Sequence, residues 1–149
     1  MNRALLLAAV LFVAAIGLTG CSGIDPWRLQ GAWEASVTVG NATVVTHRFV
    51  IENDSFDFVT LSLIPTGKKG TFNVDVFTSP KSIDLMVATD YVGEGDLRIV
   101  QNHDPAVAVY GIYEISEDVL KVQFGDEGGD RPATFDDEEA VTLRRVSAD

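Results

Sequence analysis

Gly31-Ala32-Trp33-Glu34-Ala35-Ser36-Val37-Thr38-Val39 alternates apolar and polar residues from Trp33 onward. A period of two reads as a half-buried strand, because successive side chains of an extended backbone leave opposite faces. The pattern continues along the chain. Val45, His47, Phe49 and Ile51 share one parity, with Thr46, Arg48 and Glu52 opposite, and Asn53-Asp54 is a short hairpin turn. Phe56 to Ile64 reads as a third strand, ended by Pro65-Thr66-Gly67. Phe72, Val74 and Val76 mark a fourth, and Ile83, Leu85 and Val87 a fifth. Tyr91 to Asp104, with its glycines and acids, reads mostly as loop, with Leu97-Arg98-Ile99-Val100 as a short strand inside it. Val107 to Ser116 is the next long strand, with Tyr113 and Ile115 on one face. Glu117-Asp118 turns the chain into Leu120, Val122 and Phe124, with Lys121 and Gln123 outward. Gly125 to Glu139 reads as a loop, and Val141, Leu143 and Arg145 share a parity in the last strand. Upstream, Asp25-Pro26-Trp27 reads as a single helical turn, with Asp25 as cap and Pro26 at the first helical position.

About eight strands joined by short turns, with no long amphipathic helix, predict an all-β chain. An antiparallel up-and-down barrel is preferred over a two-sheet sandwich, because closure removes exposed strand edges. The 149 residues, 46% hydrophobic and 22% charged, suit one globular domain. Acids number 22 against 11 Lys and Arg, a formal charge of -11. Phosphate backbones repel such a chain, so no nucleic-acid partner is expected. The single cysteine excludes an internal disulfide and a Cys-rich metal site.

The first twenty residues read as an address. Arg3 opens a short basic segment, Ala4 to Ile16 is an unbroken apolar run, and Leu18-Thr19-Gly20-Cys21 follows. The run falls short of the ~20 residues a bilayer span needs, and its flanks are those of a secretory signal. Leu18-Thr19-Gly20-Cys21 resembles a bacterial lipobox, whose cysteine carries the lipid. Three segments follow: 1–20 a lipoprotein signal peptide, 21–30 a lipidated N-terminus and lead-in turn, and 31–149 the barrel. Removing 1–20 takes away Arg3 and no acid, making the chain one unit more negative. Two or more acyl chains on Cys21 would anchor the protein stably, at ~0.8 kcal/mol per buried CH₂. The expected place is the cell envelope. Ser22 after the cysteine, in place of Asp, resembles the signal for the outer membrane of double-membraned bacteria.

Gly31-Ala32-Trp33 also resembles the Gly-x-Trp opening of lipocalins. In that fold the tryptophan plugs the closed end and an arginine of the last strand packs across it, which implies a Trp33–Arg145 pair. A wider succession follows in order: Lys69-Gly70-Thr71-Phe72, Pro80-Lys81-Ser82-Ile83-Asp84-Leu85, Gly111-Ile112-Tyr113-Glu114-Ile115, Leu120-Lys121-Val122, Arg131-Pro132 with Phe135, and Leu143-Arg144-Arg145. It resembles a lipocalin-like, uncharacterised, planctomycete-type bacterial domain family over Leu29 to Val146. That family has no established activity, so the resemblance implies a fold and no mechanism. Asp90 to Ala106 is long for the family, and Asp136-Asp137-Glu138-Glu139 stands where it carries a small, polar or basic segment.

Catalytic residues are not evident. Of the two histidines, His47 has inward parity and reads as a hydrogen-bonded barrel residue ahead of a ligand contact. His103-Asp104 lies in a loop with no second histidine at ligand spacing, so no metal is expected. No serine has a Gly-x-Ser-x-Gly setting, and no cofactor is implied. Asp126 to Glu139 does not match an EF-hand and reads as a solvated, self-repelling loop. Asn41-Ala42-Thr43 and Asn53-Asp54-Ser55 read as turns.

Trp33, Phe49, Phe58, Phe72, Tyr113 and Phe124 point inward on this reading. Gly111, Ala35, Thr60 and Ser62 leave room near one end, so a shallow pocket is expected in place of a deep calyx. His47, Phe49, Phe58, Phe72, Tyr113 and Phe124 are the pocket candidates, for a small apolar or amphipathic ligand. The alternative is a structural or interaction lipoprotein with a filled barrel, whose acidic face meets a protein partner.

Overall fold

The computed structural model describes residues 25–39 and 41–147. The leader 1–20 and Cys21 lie outside the described residues. A five-residue helix, α1 (Asp25–Leu29), precedes eight strands: β1 (Gly31–Val39), β2 (Ala42–Glu52), β3 (Ser55–Leu61), β4 (Thr66–Asp75), β5 (Lys81–Val92), β6 (Ile99–Ser116), β7 (Val119–Glu127) and β8 (Val141–Val146). Every neighbouring pair is antiparallel, and the strands close into one barrel in sequence order. The barrel, and not the sandwich, is the architecture. Up-and-down order puts α1 and the turns at 53–54, 76–80 and 117–118 at one end. The turns at 62–65 and 93–98 lie at the other end, the mouth.

The alternating parity becomes the core. Trp33, Phe49, Ile51, Phe56, Ile83, Leu85, Val87, Tyr113, Leu120, Val122 and Leu143 are buried inside, with Ala35, Phe58, Phe72, Val74, Phe124 and Val141 packed against them. Closure is made only at the α1 end. β8 pairs with Ala32–Glu34 of β1 and with Val119–Val122 of β7. Higher up, Val37 has lumen parity yet is 52% exposed, because β8 does not reach that height.

Several boundaries differ from the sequence reading. β3 stops at Leu61, and Leu63 and Ile64 stand out in the loop. β4 starts at Thr66, inside the segment read as a turn. Tyr91 to Asp104 is mostly strand: β5 runs to Val92 and β6 begins at Ile99. The alternation was hidden there by irregularities. The register shifts between Val87 and Thr89 against a partner strand that jumps from Val107 to Asn102, and such bulges break a period of two. β7 likewise continues to Glu127.

The acidic stretch after β7 is exposed along most of its length, as expected, but it does not float free of the barrel. Residues 128–140 fold back over the outer wall of β5, β6 and β7 as an arm. Arg131 pairs with Asp84 and lies over the Tyr110 ring. Lys121 holds Asp137 at 2.9 Å and stacks on Phe135. Gln123 accepts from the Asp136 amide at 2.6 Å and donates to Glu139 at 2.9 Å. Gln123, bonded by the arm, is buried, as are Ile112 and Ser82 on the neighbouring strands beside it. Self-repulsion is eased because Lys121 and the Gln123 amide on the wall partner acids of the arm.

Candidate functional site

The closed end is built around Trp33. Its Nε1 donates to the Leu29 carbonyl at 2.8 Å, tying α1 to β1. Cross-strand pairing sets Arg145 opposite Trp33, with its guanidinium 4.1 Å from the ring centroid. Arg145 also donates to the carbonyls of Gln30 at 2.7 Å and Arg28 at 2.6 Å, and to Asp118 at 3.2 Å. Gly31 has a φ of +112, and a Cβ there would lie 3.2 Å from the Arg145 guanidinium. The glycine of Gly-x-Trp is thus required by backbone and by space. Asp25 does not serve mainly as a cap. It is 4% exposed, and its Oδ2 accepts from the Tyr113 hydroxyl at 3.1 Å and pairs with Lys81. Burial first, and then the Asp25 charge and hydrogen bond, push the Tyr113 hydroxyl well above the ordinary tyrosine range.

The middle of the lumen is filled by rings. Phe49 makes edge-on contacts with Phe56, Phe58 and Phe124 at centroid distances of 6.1, 5.5 and 6.3 Å. Phe58 meets Phe124 edge-on at 6.3 Å and stacks on His47 at 6.0 Å. Gly111 leaves no room, contrary to expectation. Phe124 occupies its place, and a Cβ there would stand 2.5 Å from that ring. Ser62 is exposed in the β3–β4 loop, bonded to the Ile64 carbonyl, and does not line the lumen. His47 bonds Thr60 across the β2–β3 pair at 3.1 Å, and burial lowers its pKa below the ordinary histidine value.

Above the rings lies a polar crossbar that the sequence reading missed. Lys68 faces inward beside Phe58, bonds Asp90 at 2.9 Å and reaches across to Glu127 on β7. His103 Nε2 lies 2.8 Å from the other Asp90 oxygen. Burial disfavours the Lys68 charge, but Glu127 and Asp90 outweigh it and hold the ammonium above the ordinary lysine range. Burial likewise opposes the Asp90 charge, and Lys68 and His103 outweigh it, so that carboxyl sits below its usual range. Lys68 keeps the regular inward parity of β4, and the irregularity at Ala88 of β5 turns Asp90 inward. A strict count from Phe72 already sends Lys68 inward, whereas a strict count from Val87 sends Asp90 outward, so only Asp90 runs against the alternation.

A depression of about 330 Å³ opens beside the crossbar, lined by Phe58, Thr60, Thr66, Lys68, Asp90 and Val92 with Gly67 and Tyr91. Among the six pocket candidates only Phe58 borders it. Phe49 and Tyr113 are buried lower down, and Phe72, Phe124 and His47 pack into the filled lumen. A larger hollow of about 880 Å³ is an open groove on the outer face of β1 and β2 near Gln30 and Glu52, outside the lumen. Leu63 (98% exposed), Ile64, Leu97 and Ile99 stand as apolar tips around the mouth, and the Gly93 amide donates to the Pro65 carbonyl at 2.8 Å to join the two loops. No group of three or more metal-ligating side chains occurs among the described residues, and no helix there is long and apolar enough to cross a membrane.

Comparison with protein-family models, with curated proteins and with solved structures finds no match.

Proposed function

We propose that this chain is a lipid-tethered, non-catalytic envelope protein whose barrel holds a small amphipathic molecule at its mouth. The family reading, a lipocalin-like planctomycete-type domain, belongs to the same proposal and rests on the motif order from Gly31 to Arg145. The observation that carries the binding reading is the 330 Å³ depression, with Phe58 as an apolar wall and Lys68 and Asp90 as a polar edge. Its size lies near the lower end of small-molecule sites, which run roughly 300–1,000 Å³. The apolar tips around it favour a greasy ligand, since exposed apolar clusters mark interaction sites. The rings below limit the ligand to a shallow seat.

A neutral hydrophobic probe such as N-phenyl-1-naphthylamine, titrated into the Cys21–Asp149 chain, is expected to bind saturably at one site. Thr60→Trp should fill the depression and abolish the signal with near-UV dichroism unchanged. Absence of saturation, or binding indifferent to Thr60→Trp, overturns the reading. The tether is read separately, from the mass of the protein made in a bacterial host: acylated in the natural chain and unmodified in Cys21→Ser.

The second reading is an interaction lipoprotein. The filled lumen favours it, together with the arm, where Asp137 keeps 95% of its side chain exposed. Capture of a partner that is lost on neutralising Asp136, Asp137, Glu138 and Glu139, with no probe binding, would select it.

A further inference from the structure

We infer that the closed end of the barrel is a membrane-seating face, with Trp27 and Phe77 inserted in the interface of the bilayer that carries the tether. The inference rests on the tethering reading for its orientation. Trp27 is 80% exposed and Phe77 is 85% exposed, and both lie at the α1 end. Phe77 sits four residues before Lys81, whose ammonium holds Asp25, two residues before Trp27. That contact joins α1, which carries Trp27, to the start of β5, just after the turn that carries Phe77.

Neither ring is out by slackness. α1 is pinned by the Asp25–Tyr113 bond, by the buried Leu29 and by the Trp33 and Arg145 bonds to the carbonyls of Leu29 and Arg28. The Phe77 amide donates to Asp75 Oδ1 at 2.9 Å, and Thr78 Oγ1 donates to the Asp75 carbonyl at 3.1 Å, so the turn holds the ring outward. A fixed exposed aromatic gains by entering a headgroup region, where aromatic rings concentrate.

The chain leading to the tether selects the occupant. Cys21 precedes Asp25 by four residues, at most about 14 Å of extended chain. A lipid on Cys21 thus keeps this end, and not the mouth, against the bilayer. The apolar tips at Leu63 and Leu97 then face away, free for the ligand. Asp118 is paired with Arg145, and the exposed Asp54, Asp75 and Glu117 still outnumber Arg28 and Arg144 at this end, so the lipid surface that fits is zwitterionic and not strongly anionic.

The test couples the Cys21–Asp149 chain, through its single thiol, to a maleimide lipid in phosphatidylcholine vesicles with brominated acyl chains. The described residues contain all eight strands, the core and α1, so this chain keeps every contact that holds the barrel. Trp27 emission should shift to the blue and be quenched, whereas Trp33, with 0% exposure, is not. Trp27→Phe should remove the quenched component. Phe77→Ser should lower the seated population on the order of tenfold. Leu63→Ser with Leu97→Ser should change nothing, and added anionic lipid should weaken the quenching. Equal Trp27 emission in brominated and plain vesicles overturns the inference, as does quenching that depends on Leu63 and Leu97. Chemical coupling makes the result independent of natural acylation. An unacylated Cys21 in the bacterial product sinks the tethering reading, and an unseated Trp27 sinks this one.

Discussion

His47 sits half-buried between Thr60 and the face of Phe58. Burial lowers its pKa, so the folded barrel favours the neutral ring. The sign follows from linkage: the unfolded chain takes up a proton first, near pH ~6.5. Stability from this residue is complete above that value and is lost as the pH falls from there towards the lower folded pKa. The thermal midpoint should therefore drop more steeply below pH ~6.5 in the natural chain than in His47→Gln. Parallel midpoint curves for the two proteins would show that His47 titrates alike in both states. Lys68 and Asp90 work in the opposite sense to burial. Asp90 contributes above its unfolded value and loses that contribution in acid, and Lys68 contributes until alkaline pH removes its proton.

At the level of elements, the arm 128–140 shows a segment whose order comes from its neighbours. Its composition is that of a solvated loop, yet Arg131, Phe135, Asp136, Asp137 and Glu139 each have a partner on the barrel wall. Most of these contacts are partly exposed, so each contributes little alone, and removing two together should free the arm. Arg131→Ala with Phe135→Ala should raise the rate of proteolytic nicking between Gly128 and Ala140 several-fold. The thermal midpoint should fall only slightly, because the β-ladders remain. Cutting at the natural rate would mean that the docked arm does not depend on these contacts.

For the whole molecule, β8 is the strand that makes a sheet into a barrel. It is six residues long and pairs with β1 and β7 at the closed end only. Its Leu143 is 0% exposed within the core. Leu143→Ala should cost about 2–5 kcal/mol, the range for an unfilled buried leucine site, read as a lower midpoint in urea. Because closure and core share this strand, the transition should stay single, with near-UV and far-UV signals lost together. Separate transitions would mean that β8 is an appendage to an already stable sheet.

The alternation from Trp33 to Leu143 by itself determined the class, the inner face of each regular strand and the Trp33–Arg145 parity, because a period of two assigns sides without any knowledge of neighbours. The resemblance to a Gly-x-Trp opening singled out Gly31, and the structure supplied the reason, a φ of +112 and a close approach to Arg145. Only the tertiary structure decided the mouth. Lys68, Asp90, His103 and Glu127 come from four strands, and the last three reach Lys68 through register shifts in β5, β6 and β7, where a shift of one residue reverses every side beyond it. The same holds for the filling of Gly111 by Phe124 and the docking of the arm on Lys121 and Gln123. These are contacts between segments far apart in the chain, and local periodicity carries no information about which distant group fills a space or neutralises a charge.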